Sequence, residues 1–197
     1  IMSNATYGAD FISDNLQIQN NLIISSFKCN VEKLIFLSSS CVYPKNIRKP
    51  LKEKNLFNGP LEETNSPYAV AKLAGMKLCE SFNNQYGTNF ITLVPCNLYG
   101  ENDSFDLFNS HFFPALLKKI DNFKDKKTNE IEIWGDGLAK RELMYVDDLA
   151  DACVFFMNKK KVDQNYINIG TGKQISIIDY AKRICKILEV KPKFKFD

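Results

Sequence analysis

The stretch SPYAVAK, residues 66 to 72, sets Tyr68 and Lys72 four positions apart. On a helix, residues i and i+4 share a face, so an ammonium at 72 would lie near the phenol at 68 and favour its ionised form. Such a pair would be a cation-tuned proton shuttle, because an unassisted phenol titrates near pH 10 and exchanges its proton poorly at neutral pH. The spacing alone is weak: with 8 tyrosines in 197 residues, about one Tyr-x-x-x-Lys is expected by chance. The elements around the pair decide whether it is a site or two polar side chains on a solvated helix face.

Helical and β-rich segments alternate along the chain, the pattern of a parallel sheet with crossover helices. A helix is predicted over about 9–27, with Phe11, Ile12, Leu16, Ile23 and Phe27 among its apolar positions. KLIFLSSS predicts a strand over Leu34 to Leu37 that ends in a polar serine run. The helix carrying Tyr68 and Lys72 is predicted from about Pro67 to Tyr86, with Asn65 or Ser66 as N-cap and Gly87 as its stop. NFITLVP predicts a strand over Phe90 to Val94, stopped by Pro95, and a helix near His111 to Phe123 follows a polar loop. IEIWGDG reads as a short strand into a tight turn, VDDLADACVFFMN as a helix capped by an aspartate, and NYINIG as another strand. SIIDYAKRICKILE predicts a last amphipathic helix begun by Ser176. The lysine clusters at 124 to 127 and 159 to 161 read as solvated loops. In open α/β sheets the ligand crevice lies beyond the carboxyl ends of the strands, so Ser38 to Ser40 and Pro95 to Asn97 are expected at one crevice, within reach of Tyr68.

Bulk properties narrow the function classes. A net charge of +3 with scattered lysines argues against a nucleic-acid partner. No apolar run of transmembrane length and no signal peptide is visible, so no membrane partner is expected and the cytoplasm is the expected location. The 6 cysteines (29, 41, 79, 96, 153 and 185) show no C-x-x-C or Cys/His metal spacing; reduced thiols and no metal site are expected.

Strand-SSS, then Ser66-Pro67-Tyr68 with Lys72 at a helix head, then strand-VPCNLYG, resembles the extended short-chain dehydrogenase/reductase family. More narrowly, SSSCVYP, GPLEETNSPYAVAKLAGMKLCESFNNQYGTNF, PCNLYGENDSFDLFNSHFFPALLKK and WGDGLAKRELMYVDDLADA resemble the GDP-L-fucose synthases, most densely from Leu34 to Ala152. The resemblance implies an α/β fold, a partial Rossmann-type doubly wound parallel sheet with part of a smaller C-terminal substrate-binding region. It implies an incomplete NADP-binding domain over 1–110, carrying the Ser/Tyr/Lys triad. The remainder, 111–197, is expected to contribute to the substrate-binding region and return to the Rossmann core.

Carried over position by position, the resemblance makes Ser39, Tyr68 and Lys72 the reductase triad. Lys72 would lower the phenol's pKa and hold the cofactor ribose, while the Ser39 hydroxyl would bond the carbonyl being reduced. It makes Cys41 and His111 the pair that exchanges protons at the carbons flanking a C4 ketone. A thiol near 8.5 and an imidazole near 6.5 suit that exchange at neutral pH. Read without the resemblance, Ser39 is a strand-end serine satisfying backbone, Cys41 a small apolar side chain and His111 a helix-start histidine.

The family also implies NADP(H) as cofactor, contacted by Ser39, Tyr68, Lys72, Pro95, Asn97, Leu98 and His111. A GDP-sugar substrate would be held by Lys119, where relatives often carry arginine, and by Trp134 and Arg141. A homodimer through the helices near 9–27 and 67–86 is expected. No G-x-x-G-x-x-G occurs in these 197 residues, so the pyrophosphate cradle is expected to precede Ile1, and the chain by itself is expected to turn over negligibly. The reaction implied is 3,5-epimerisation and NADPH-dependent 4-reduction of GDP-4-keto-6-deoxy-D-mannose. Another sugar-nucleotide enzyme, such as a UDP-hexose 4-epimerase or a dehydratase, and a non-catalytic sugar-nucleotide-binding relative stay open as alternatives.

Overall fold

The computed structural model describes residues 6–47, 50–107, 110–125, 128 and 130–197. The chain packs as two compact units. One runs through Cys96 and resumes over Val146–Ile169; the other comprises Asn97–Tyr145 and Gly170–Asp197. The packing break after Cys96 comes earlier in the chain than the functional division expected at residue 110.

In the first unit, strands β1 (Leu34–Leu37), β2 (Phe90–Pro95) and β6 (Tyr166–Ile169) form a three-stranded sheet in the order β1-β2-β6. Both pairings are parallel, with Leu37 opposite Leu93 and Pro95 opposite Ile169. As the middle strand, β2 is buried along its whole length, which explains its near-continuous apolar run. Pro95, expected to stop this strand, is instead its last residue; the ladder resumes at once, with the Cys96 N–H donating to the Ile169 carbonyl at 2.9 Å.

Helix α1 (Gly8–Lys28) lies on α2 (Ser66–Tyr86), which links β1 to β2. Of the apolar positions expected on α1, Ile23 is fully buried, alongside the polar Gln19 and Ser26. Gln19 Nε2 donates to the Ala71 carbonyl at 2.6 Å. Gly87 ends α2 in the left-handed region at φ 69°, where the absent Cβ removes the steric cost. The core joins Ile23, Phe36, Val42, Met76, Phe90 and Val94.

Helix α4 (Val146–Asn158) packs on β1. It follows strand β5 (Lys140–Tyr145) without an intervening residue, so the expected aspartate cap has no place; Asp147 and Asp148 sit inside the first turn, where the helix dipole favours negative charge. Lys159, Lys160 and Lys161 are exposed as expected. In the other lysine cluster, Lys124 belongs to the last turn of a helix, and Lys126 and Lys127 lie outside the described residues.

The second unit holds a sheet in the order β3-β5-β7 (Asn97–Tyr99, Lys140–Tyr145, Gln174–Ser176), parallel in the first pairing and antiparallel in the second. A separate parallel pair joins β4 (Glu130–Ile133) to β8 (Lys193–Phe196). Helices α3 (Phe112–Lys124) and α5 (Ile177–Ile187) share a core of Leu116, Ile120, Ile131, Ile133, Ala181 and Ile184. Ser176 caps α5 as expected, accepting from the Asp179 N–H at 3.2 Å and donating to the Asp179 carboxylate at 2.6 Å. Strands β3, β5, β7 and β8 were not anticipated from the sequence. Each is held by pairing with a distant segment rather than by its own period.

Candidate functional site

The site of the first unit is built on the carboxyl end of β1. After Leu37 the chain runs through Ser38, whose N–H donates to the Leu93 carbonyl at 2.9 Å, into a 3-10 turn over Ser40–Val42. Ser39 caps that turn, its Oγ accepting from the Cys41 N–H at 3.3 Å. A second 3-10 turn, Glu63–Asn65, leads directly into α2, whose first turn carries Tyr68.

These elements bring Ser39, Cys41, Tyr68 and Lys72 together. The Ser39 hydroxyl hydrogen-bonds Tyr68, and charge on Cys41 is felt by the same phenol. Asn65 Nδ2 lies 4.0 Å from Cys41 Sγ. Lys72 Nζ donates to the Leu37 carbonyl at 3.1 Å and stands 5.7 Å from the centroid of the Tyr68 ring and 5.2 Å from that of Phe36. The i, i+4 spacing thus does place ammonium and phenol on one face.

The electrostatic expectation is corrected by the structure. The Tyr68 pKa is raised, by burial first and by Cys41 second, against the opposing pull of the Ser39 hydrogen bond. Burial also lowers the Lys72 pKa. Desolvation outweighs the pull of the Ser39 hydroxyl, so the phenol is held protonated, which is the state a proton donor needs.

Pro95 is buried at the end of β2. The other expected residues lie in the second unit. Asn97 is exposed at the start of β3, its Nδ2 donating to the Glu142 carbonyl at 3.1 Å, and Leu98 follows it half-buried. His111 is exposed at the N-cap position of α3, where its side chain makes no cap bond and its carbonyl accepts from the Ala115 N–H at 3.1 Å. Lys119 and Trp134 are brought together: Lys119 Nζ is 5.2 Å from the Trp134 ring centroid and donates to the Glu132 carbonyl at 2.9 Å. Arg141 is exposed on β5 opposite Ile175, its Nη1 on the Lys140 carbonyl at 2.9 Å.

Among the described residues, no group of three His, Cys, Asp or Glu side chains could hold a metal ion, and no helix is long and apolar enough to cross a membrane. All 6 cysteines are free thiols. The sequence reading missed Asn65 as a neighbour of Cys41, taking it only as a helix cap. The available signal was Pro67: a proline in the first turn removes one N–H that a cap would satisfy.

A parallel Rossmann-type sheet with a Ser/Tyr/Lys cluster at the carboxyl end of a strand defines the class of epimerase and reductase folds. The family pattern described as NAD dependent epimerase/dehydratase matches residues 1–170, and the chain belongs to that family. It is 47% identical, over its whole length, to the GDP-L-fucose synthase of Sinorhizobium fredii, and spans 62% of that protein. It is similar to the structure of a GDP-mannoheptose C4 reductase from Campylobacter jejuni with NADP bound, at 39% identity and a TM-score of 0.87, over 99% of this chain and 68% of that one. A GDP-L-fucose synthetase of Naegleria fowleri bound to NADP gives a TM-score of 0.89 at 26% identity, over 97% of this chain and 61% of that one.

Proposed function

We propose that the protein carrying this chain is a GDP-L-fucose synthase, converting GDP-4-keto-6-deoxy-D-mannose to GDP-L-fucose with NADPH. The convergence of Ser39, Cys41, Tyr68 and Lys72 at one strand end carries the reading, and the curated relatives named for this activity support it. The donor set fits the cofactor. An ammonium has three N–H donors, and with one of Lys72's on the Leu37 carbonyl it retains donors for ribose hydroxyls. Pro95, Asn97, Leu98 and His111 complete the proposed contacts with NADPH.

In the reduction, Ser39 holds the C4 carbonyl oxygen by a hydrogen bond and Tyr68 gives its proton to that oxygen. Bound NADPH supplies the hydride that arrives at C4. Lys72 holds the ribose and keeps a positive charge beside the phenol as its proton leaves. In the epimerisation, the C4 ketone acidifies the C–H bonds at C3 and C5. Cys41 and His111 take and return those protons: the C–H electron pair enters the enolate, and a proton returns to the opposite face. Lys119, Trp134 and Arg141 are assigned to the GDP-sugar.

The reading includes a homodimer formed through α1 and α2, supported by the exposure of Ile18 and Leu22 on α1 and Val70 on α2. Free cysteines support a reducing, cytoplasmic setting. The test is NADPH oxidation by the protein that carries this chain, offered GDP-4-keto-6-deoxy-D-mannose, GDP-heptoses and UDP-hexoses in parallel, with the product sugar identified by NMR. Formation of GDP-L-fucose is the expected result; turnover of UDP-hexoses alone would overturn the assignment.

A further inference from the structure

Asparagine at an N-cap ordinarily turns its side-chain oxygen onto the N–H groups of the first helical turn. Asn65 occupies that position in α2 with φ −115° and ψ 0° and makes no side-chain cap bond. Its amide is turned the other way, with Nδ2 4.0 Å from Cys41 Sγ. Both ends of this contact are seated. The Asn65 N–H donates to the Glu62 carbonyl at 3.1 Å within one 3-10 turn, and the Cys41 N–H is held by Ser39 Oγ at 3.3 Å in the other.

We infer that Asn65 is a positioning residue for Cys41, its side-chain N–H donating to the sulfur and favouring the thiolate during proton exchange with substrate. The inference rests on the proposed role of Cys41. An amide N–H is a donor only, so it interacts more strongly with a thiolate than with a thiol. The titratable groups on the neighbouring elements are Tyr68 and, one turn further along α2, Lys72, with the exposed Lys45–Glu63 ion pair at 3.3 Å beside Asn65. Tyr68 is held protonated, so it adds no negative charge to oppose the thiolate at neutral pH.

The test is the pH profile of Cys41 alkylation by iodoacetamide, read by mass mapping of the Cys41 peptide, in native protein, Asn65→Leu and Asn65→Asp. Aspartate caps a helix as well as asparagine does, so Asn65→Asp keeps the start of α2 while placing a carboxylate beside the sulfur. Asn65→Asp is expected to move the profile up by about one pH unit, slowing alkylation about tenfold near neutral pH with an unchanged alkaline plateau. Asn65→Leu should give a smaller shift in the same direction. An Asn65→Leu profile coincident with native would overturn the inference, as would an Asn65→Asp profile coincident with native or slowing that persists on the alkaline plateau. The two proposals fail separately: if Cys41→Ser leaves epimerisation intact, the catalytic role of Cys41 falls, whereas the alkylation shift reports on Asn65 alone.

Discussion

The Ser39 hydroxyl is bonded to the phenol of Tyr68, and that bond pulls against burial and Cys41, which both hold the phenol's proton on. Removing the hydroxyl therefore pushes the Tyr68 pKa further up. A difference titration of tyrosinate absorbance, Ser39→Ala against Ser39→Ala/Tyr68→Phe, should place the Tyr68 transition at higher pH than the corresponding native pair. On the proposed function, Tyr68→Phe in the protein carrying this chain should slow 4-reduction at least about a hundredfold. Solvent deuterium exchange at C3 and C5 should continue; loss of both activities together would count against separate groups for the two steps.

Gly75 on α2 stands where α1 and β1 close in. A Cβ there would lie 2.5 Å from Phe36 Cζ and 2.9 Å from the Gln19 amide. Alanine improves helix propensity by up to about 1 kcal/mol, but overpacking typically costs about 1–3 kcal/mol. Phe36 is itself buried and has little freedom to yield. Gly75→Ala should lower stability by about 1 kcal/mol, seen as a lower urea midpoint at unchanged slope.

Lys33 closes the carboxyl end of α4, its Nζ donating to the carbonyls of Phe156 at 3.0 Å, Met157 at 2.9 Å and Lys159. The first two carbonyls belong to the last turn of α4, where intrahelical partners run out, and the third to the residue that follows it. Lys33→Met keeps the apolar stem and removes the donors, and should cost about 1 kcal/mol. Amide exchange should accelerate in the last turn of α4 and leave α2 unchanged.

Tyr43 provides a pH test. Burial pushes its phenol up from 10.0 to about 12, with Glu53 adding to the rise; the phenol donates to Asn168 Oδ1 at 2.7 Å, a bond that only the protonated form can make. A raised pKa means that the folded state holds the proton more tightly than the unfolded state. The resulting stability is complete below pH 10 and is lost as pH climbs from 10 to about 12. Losing the hydrogen bond, Tyr43→Phe should be less stable than native by about 1 kcal/mol at neutral pH, and the gap should close within that window and then reverse, because native loses stability that the variant keeps. A gap independent of pH in urea titrations would contradict the assignment.

Legibility in the sequence followed the range of the signal. The helix bearing Tyr68 was read to within a residue because Pro67 and Gly87 mark its ends locally. The run FITLVP announced a buried parallel strand by its composition. KRELMY did not announce β5: its charged residues precede adjacent buried Leu143 and Met144, so neither face alternates. It becomes a strand because Asn97–Tyr99 pairs with it on one edge and Gln174–Ser176 on the other. Asp147 was misplaced as a cap for a related reason: only the paired β5, extending to Tyr145, shows that no cap position remains before α4.

By itself, the sequence determined the residue types that can exchange protons, the face shared by Tyr68 and Lys72, and most helix ends. These depend on side-chain chemistry and on contacts a few residues apart. Tertiary structure decided which way the Tyr68 proton affinity moves and where the Asn65 amide points. Both depend on how far packing removes a group from water and which distant side chain it meets there. Cys41 and Ser39 reach that place only through the turn that follows β1.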